Sequence, residues 1–598
     1  MISKRFILLS LLGVLVVQAQ TAQDQSLEAR RNALKELLAE QWEYTTRTSP
    51  EFASMLGDKR YNDQLTDYSI SAIQQRYEAA RRFLGRFEAI DTTGFPEQES
   101  LNKRLMVHDL KSGLEGERFK TWEMPVTQQS GIHLEAPQAP SVFPFQTTKD
   151  YRDFITRLHK LPTTFDQTIA LMRAGEKDGL MPPKFLLEKV AAQCERIAST
   201  PAAESPFAEP LKHFPDAVPA PERGSIHDDL LAAVAQDIIP AYKKFGDFVR
   251  NEYAPKGRSE PGVWSLPDGE ALYSFMVRNS TTTDLTPEQI HELGKQQVDE
   301  IEQAELGVAK RLGFADVKSL RESVNKDPNL HPKSGDEILD LYRKYVDQMY
   351  GKLSELFTKT PKARMIVAPT EAFRAKEAAA AEYVQGTPDG SRPGRVEVNT
   401  SDFAKRTTLE IESTAYHEGI PGHHMQIALA QELTALPPFR QQEYFTAYTE
   451  GWALYAERLG KEVGFYQDPY SEYGRLESEM LRAIRLVVDT GIHYKRWSRQ
   501  QVVDYFHVHS NTDEPEVQSE TDRYIAWPSQ ALGYKIGQLT ILRLRDKAKR
   551  ELGSKFDLRL FHDEVLAAGA LPMDVLAERI DAWIADQKSA NRAPSSGL

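Results

Sequence analysis

Ser413-Thr414-Ala415-Tyr416-His417-Glu418-Gly419-Ile420-Pro421-Gly422-His423-His424-Met425-Gln426 gathers three of the chain's 14 histidines within eight residues, with a glutamate directly after the first. Neutral imidazole nitrogens suit zinc, and a catalytic zinc site takes three protein ligands and keeps one position open. A glutamate beside a ligand histidine is placed to take a proton from a water whose pKa the metal has lowered. The spacing is not H-E-x-x-H, because proline occupies position 421. Pro421 and its two flanking glycines predict a kinked or bulged helix. With two residues looped out, His423 returns to the face that an i+4 histidine would occupy. On a regular helix His424 would be co-facial with His417, since seven residues make nearly two turns. The pattern favours His423 and leaves His424 as the alternative.

The third ligand is expected from another helix, and Tyr448-Thr449-Glu450-Gly451-Trp452-Ala453-Leu454-Tyr455-Ala456-Glu457 is the best source. Glu450 and Glu457 are seven apart and can share a face. Glu450 follows His417 by 33 residues, which suits the return of an antiparallel helix. Either glutamate alone reads as a solvated helix face. Together the two segments read as a zinc centre of His417, His423 and Glu450 with Glu418 as general base.

Upstream, Arg395-Val396-Glu397-Val398-Asn399-Thr400 alternates strictly and predicts a strand, entered through the Gly-, Pro- and Asp-rich stretch Gly386 to Gly394. The rest reads as mainly helical. Leu27 to Trp42, Ser69 to Phe87 and Tyr151 to Arg173 carry apolar residues at three-to-four spacing. Thr286-Pro287-Glu288-Gln289 combines an N-cap, a first-turn proline and a capping-box glutamine. Ser334-Gly335-Asp336-Glu337 gives the same start before Ile338 to Tyr350. The Pro- and Ala-rich segment 201–224 reads as a linker between an N-terminal helical region, 20–200, and a helical catalytic region, 225–590. The polar tail 591–598 is expected to be disordered.

A chain of 598 residues exceeds one core, so two or more lobes are expected. The net charge of -13 argues against nucleic acid or an anionic membrane as the main partner. Lys4 and Arg5 precede an apolar run from Phe6 to Val17, and Val17-Gln18-Ala19 offers small residues for cleavage. Residues 1–19 therefore read as a signal peptide, because the run is too short for a membrane anchor. The expected mature protein is exported, periplasmic or secreted in a bacterium, with no stable membrane anchoring. No cysteine lies near the cleavage point, which disfavours a lipid anchor. Cys194 is the one cysteine, which excludes an intramolecular disulfide and a cysteine-rich zinc site. Its helical context, Ala191-Ala192-Gln193-Cys194, reads as a buried thiol.

His417-Glu418-Gly419-Ile420-Pro421-Gly422-His423-His424, followed by Glu450-Gly451-Trp452-Ala453-Leu454-Tyr455, resembles the bacterial domain-of-unknown-function family 885. That family is similar to the gluzincin metallopeptidases, including the carboxypeptidase Taq and thimet oligopeptidase groups. The resemblance runs from Asn32 to Ile584 and is strongest after Gly386. Those peptidases carry H-E-x-x-G-H or H-E-x-G-H; Gly422-His423 matches the Gly-His pair, and the two-residue expansion is a departure.

The resemblance implies a mainly α, two-lobed, zincin-like body with a deep cleft and a small β-sheet beside the metal helix, acting on short peptides. The strand Val396 to Thr400, with Asn399 as a substrate contact, looks like the edge strand along which such enzymes align a substrate backbone. Arg523-Tyr524-Ile525-Ala526-Trp527-Pro528-Ser529-Gln530-Ala531-Leu532-Gly533-Tyr534-Lys535 resembles their C-terminal tyrosine segment. There a phenol donates to the oxyanion, with Tyr534 the first choice and Tyr524 the second. Arg523 or Lys535 would hold a peptide's C-terminal carboxylate and make the enzyme a carboxypeptidase. His493, in Asp489-Thr490-Gly491-Ile492-His493, reads either as a group that orients a ligand or stabilises the oxyanion, or as a satisfied core histidine.

The sequence therefore points to an exported zinc-dependent peptidase. One alternative is a zinc amidase acting on a cell-wall or other non-peptide amide. Another is an exported zinc- or peptide-binding protein without turnover, against which the placing of Glu418 speaks.

Overall fold

The computed structural model describes residues 26–371, 375 and 378–589. The segment 1–19, expected to be a signal peptide, and the tail 591–598, expected to be disordered, lie outside the described residues. The chain is mainly helical, and helices Leu27–Thr48, Ile70–Glu88 and Thr148–Asp178 cover the three periodic segments. The last starts earlier than the apolar period alone suggests, because Thr147 and Asp150 form a capping box; it stops at Gly179, in the left-handed conformation. The two predicted caps are present. Thr286 accepts from the Gln289 N–H at 3.2 Å and opens α1 (Pro287–Arg311). Ser334 accepts from the Glu337 N–H at 3.1 Å and opens α2 (Gly335–Tyr350).

The described chain divides into two compact units, one of residues 26–47 and 71–118, the other of 48–70 and 119–589. The segment 201–224 is not a linker. It lies inside the second unit, where Phe207 and Ala208 are buried in one core with Phe165, Cys194, Tyr242 and Phe245. Its prolines build tight turns, including the short helix Pro206–Lys212, that fold Phe207 edge-on to Tyr242. Cys194 is fully buried, and burial pushes its thiol up to about 12.

A three-stranded sheet comprises β1 (Ile366–Pro369), β2 (Ala381–Val384) and β3 (Arg395–Val398). The order is β1-β3-β2, with β3 parallel to β1 and antiparallel to β2. The strand expected at the edge is thus the central one, paired on both sides. Alternation reports that a strand's two faces differ, not how many neighbours it has. Val396 and Val398 pack with Ile338, Leu339, Ile411 and Ala415, which seats the sheet against α2 and against α3 (Ile411–Glu418).

Five further helices complete the setting of the site: α4 (His423–Glu432), α5 (Thr446–Glu462), α6 (Pro469–His493), α7 (Glu514–Ala526) and α8 (Leu532–Leu552). From Tyr473 onward most of α6 is buried on every face, as a helix through the middle of a large core must be. Helices α5 and α8 meet at Gly451 and Gly537. A Cβ on Gly537 would run into the carbonyl of Ala447 and come within 2.7 Å of the Gly451 Cα. Among the described residues no helix is long and apolar enough to cross a membrane.

Candidate metal centre

Helix α3 ends at Glu418 and α4 begins at His423, so the helical path is broken over Gly419-Ile420-Pro421-Gly422. Proline offers no N–H and cannot continue the ladder; the Ile420–Pro421 peptide is cis. Gly422 is required by close approach, since a Cβ there would collide with the carbonyls of Tyr416 and His417. Trp452, buried in the second turn of α5, donates through Nε1 to the Pro421 carbonyl at 2.9 Å and ties the break to that helix. His423 thereby becomes the first residue of α4.

The break brings His417, His423 and Glu450 together, and among the described residues these three form the one such group, with ligand atoms within 4.8 Å of one another. Glu450 Oε2 lies 3.6 Å from His417 Nε2 and 3.3 Å from His423 Nε2. The two imidazole rings stand nearly perpendicular, 4.9 Å apart. Glu418 Oε1 is 3.9 Å from His417 Nε2. On the far side of His417, Nδ1 donates to Glu457 at 2.8 Å, and the other Glu457 oxygen accepts from Ser478 Oγ at 2.8 Å. A carboxylate can only accept, so the Nδ1 bond fixes the tautomer and turns Nε2 towards the cluster. Tyr444 donates to Glu450 Oε1 at 3.0 Å.

All three residues are buried. Burial works against charge on His417, yet the nearby carboxylates of Glu450 and Glu457 outweigh it and lift the imidazole to about 9. Burial likewise pushes Glu450 up, but the two histidines reverse this and hold it well below the usual carboxylate range. Glu418 is raised, chiefly by burial and against the pull of His417 and His423. Glu450 Oε2 is buried without a hydrogen-bond partner. Two imidazole nitrogens and this unsatisfied carboxylate oxygen, all within 4.8 Å of one another, fit the donor set of a catalytic zinc site. A divalent cation would compete for the place that a proton shared by these groups otherwise takes.

The remaining predicted residues divide sharply. His424 points away from the cluster: Nδ1 meets the Tyr383 hydroxyl at 2.9 Å and Nε2 the Ala363 carbonyl at 3.0 Å. Tyr534 lies at the cluster, its ring almost parallel to that of His417 at 6.1 Å. Arg523 donates to Tyr534 Oη at 3.1 Å, to Gln530 at 2.9 Å and to Glu520 at 3.1 Å. Tyr524 is buried with its hydroxyl on Glu520. Lys535 is also buried, donating to Glu479 at 2.7 Å and Gln538 at 2.8 Å, so it has no free ammonium for a substrate carboxylate. His493 accepts from the Val263 N–H at 3.1 Å and donates to the Tyr524 carbonyl at 2.9 Å. Burial first of all lowers it to about 3; it is a satisfied core histidine. Asn399 donates to the carbonyls of Ala375 and Ala378 at 2.6 and 3.0 Å and accepts from Ser401, which makes it a loop anchor rather than a substrate contact. The seven-residue spacing puts Glu457 on the face of Glu450, but nothing in it marks Glu457 as the partner that orients His417. Tyr444, the further residue at the cluster, sits on irregular chain where no periodicity marks it.

Residues 50–580 match the family described as bacterial protein of unknown function, DUF885. The structure is similar to that of a candidate lipoprotein from Colwellia psychrerythraea, 30% identical in sequence, with a TM-score of 0.89 over 93% of this chain and 99% of that one. A candidate lipoprotein of unknown function from Shewanella oneidensis, 17% identical, shares the fold with a TM-score of 0.69 over 93% of this chain and 99% of its own. No curated protein matches the chain. The match across most of its length, together with the first structural relative, places the chain in a family: it belongs to DUF885, bacterial proteins of unknown function.

Proposed function

We propose that this chain is an exported zinc-dependent peptidase acting on short peptides. The observation that carries the reading is the convergence of His417 Nε2, His423 Nε2 and Glu450 Oε2 on one buried point with Glu418 beside it. The motif's resemblance to gluzincin metallopeptidases supports it, and the two-lobed, zincin-like body with a deep cleft belongs to the same proposal. Export is supported by the signal-like sequence at 1–19 and by the description of the two structural relatives as candidate lipoproteins.

Zinc held by His417, His423 and Glu450 would supply Lewis acidity, polarising a carbonyl oxygen and acidifying water. Glu418 takes the proton of the attacking water and delivers it to the leaving amine. Glu457 holds His417 in the tautomer that presents Nε2. Tyr534 donates its hydroxyl hydrogen where negative charge develops. Neither cation offered for a peptide's C-terminal carboxylate is free: Lys535 is occupied by Glu479 and Gln538, and Arg523 by Glu520, Gln530 and Tyr534.

The test is zinc content by elemental analysis, paired with a screen of quenched-fluorescence peptides. The expected result is one zinc per chain, retained in Glu418→Gln while turnover falls by about 100-fold or more. Wild-type protein that takes up no zinc sinks the reading. Zinc-loaded protein that leaves every peptide intact but cleaves a cell-wall amide replaces the peptidase with the amidase.

A further inference from the structure

Tyr534 stands between two guanidinium groups. Arg523 donates through Nη2 to its phenol oxygen at 3.1 Å. Arg485 lies across its ring face, with the guanidinium carbon 4.6 Å from the ring centre. Both arginines are held by one carboxylate, that of Glu520: Arg485 donates to it at 2.8 Å and 3.1 Å, Arg523 at 3.1 Å, and the Tyr524 hydroxyl also donates to it. Burial opposes the charge on Glu520, but Arg485 and Arg523 overcome it and keep the group ionised. The two guanidinium groups that flank the phenol thus share the one carboxylate of Glu520.

The loop before α8 completes the arrangement. Gln530 accepts from the same Arg523 nitrogen at 2.9 Å. Its neighbour Ser529, at φ +69°, gives its N–H to Asp489 at 2.9 Å and pairs its hydroxyl with Ser280 at 2.8 Å. Arg523 is therefore fixed at both ends, by α7 through Glu520 and by this loop through Gln530. A phenol oxygen that accepts from Arg523 must turn its own hydrogen away from that guanidinium.

We infer that Arg523 is a positioning residue: it directs the hydroxyl hydrogen of Tyr534 into the site and, with Arg485, keeps a positive field behind it, rather than binding a substrate carboxylate. The inference rests on the peptidase reading for the use made of Tyr534, but not for the geometry. Donors held in place before charge develops need no reorganisation when it does, and removal of one such donor typically lowers kcat by about 100- to 1,000-fold.

The experiment is a double-variant cycle on the full zinc-loaded chain with a quenched-fluorescence peptide that the wild type cleaves. Tyr534→Phe and Arg523→Gln are each expected to lower kcat by about 100-fold with KM and zinc content little changed. The double variant is expected to be no slower than Tyr534→Phe alone, because without the hydroxyl Arg523 has nothing to direct. Arg523→Lys, which keeps the charge but not the fork, is expected to fall between Arg523→Gln and wild type. Losses that multiply in the double variant, a rise in KM at constant kcat, or wild-type kinetics in Arg523→Gln overturn the inference.

A second readout needs no turnover. With 3-fluorotyrosine incorporated, the 19F resonance of position 534, assigned by its loss in Tyr534→Phe, should move in Arg523→Gln and not in Lys535→Met. An unmoved resonance overturns the inference. A wild type that cleaves no peptide counts against the peptidase reading, and the resonance then decides the positioning role by itself.

Discussion

His417 and His493 invite comparison, because each is buried, each lies in the last turn of a helix and each was a candidate for chemistry. Their surroundings drive them apart. His417 gives Nδ1 to a carboxylate and turns Nε2 towards another, so its imidazole is lifted to about 9 in spite of burial. His493 hydrogen-bonds to main-chain groups, one N–H and one carbonyl, and burial takes it down to about 3. The lesson is about leftover atoms. Around His417 the structure leaves Glu450 Oε2 and Nδ1 of His423 without partners; around His493 both ring nitrogens are satisfied. A buried polar group becomes available for chemistry when its neighbours are charged and incompletely paired, and it is structural when they are neutral and fully paired.

The largest effect expected from breaking this contrast is loss of the metal. His423→Ala should take zinc from one per chain to none by elemental analysis, whereas His424→Ala, whose nitrogens are engaged by Tyr383 and Ala363, should keep it. Zinc lost only from the His424 variant would reverse the ligand assignment. The next effect concerns the group behind the ligand. Glu457→Gln should weaken zinc binding by about 10- to 100-fold in a chelator competition; unchanged affinity would mean that the Nδ1 bond of His417 does not matter to the site.

A smaller effect comes from Asp489, near His493 on α6. Its buried carboxylate accepts from the Tyr273 hydroxyl at 2.6 Å and the Ser529 N–H at 2.9 Å, yet burial prevails and pushes it up to about 7. A free aspartate titrates near about 3.9, so the unfolded chain loses this proton first. The stability that Asp489 contributes is complete below pH 4 and is lost as the pH rises through 7. Asp489→Asn should therefore gain on wild type, in denaturant midpoint, between pH 5 and pH 8. A difference that stays constant over that range would show that Asp489 is ionised throughout.

The smallest effect is expected at Lys535. Lys535→Met should leave KM equal for peptides with free and with amidated C-termini. A rise confined to the free carboxylates would return Lys535 to substrate binding.

What the sequence determined by itself are features governed by close neighbours along the chain. The periods of helices 27–48, 70–88 and 148–178, the caps at Thr286 and Ser334 and the broken helix at Gly419–Gly422 were legible, because a proline or a capping hydroxyl acts within one turn. The cluster of His417, His423 and Glu450 was legible for a related reason: the break sets which histidine returns to the face, and the seven-residue spacing marks the face of α5. Tertiary structure alone decided the rest. The alternation of Arg395–Val398 could not reveal that β1 and β2 cover both sides of the strand. The prolines of 201–224 could not reveal that Phe207 belongs to the core around Tyr242. Lys535, His493 and Asn399 carry the same functional groups whether free or engaged. Their partners, from Glu479 to Val263 and Ala375, are chosen by packing between segments far apart in the chain, where local spacing carries no information.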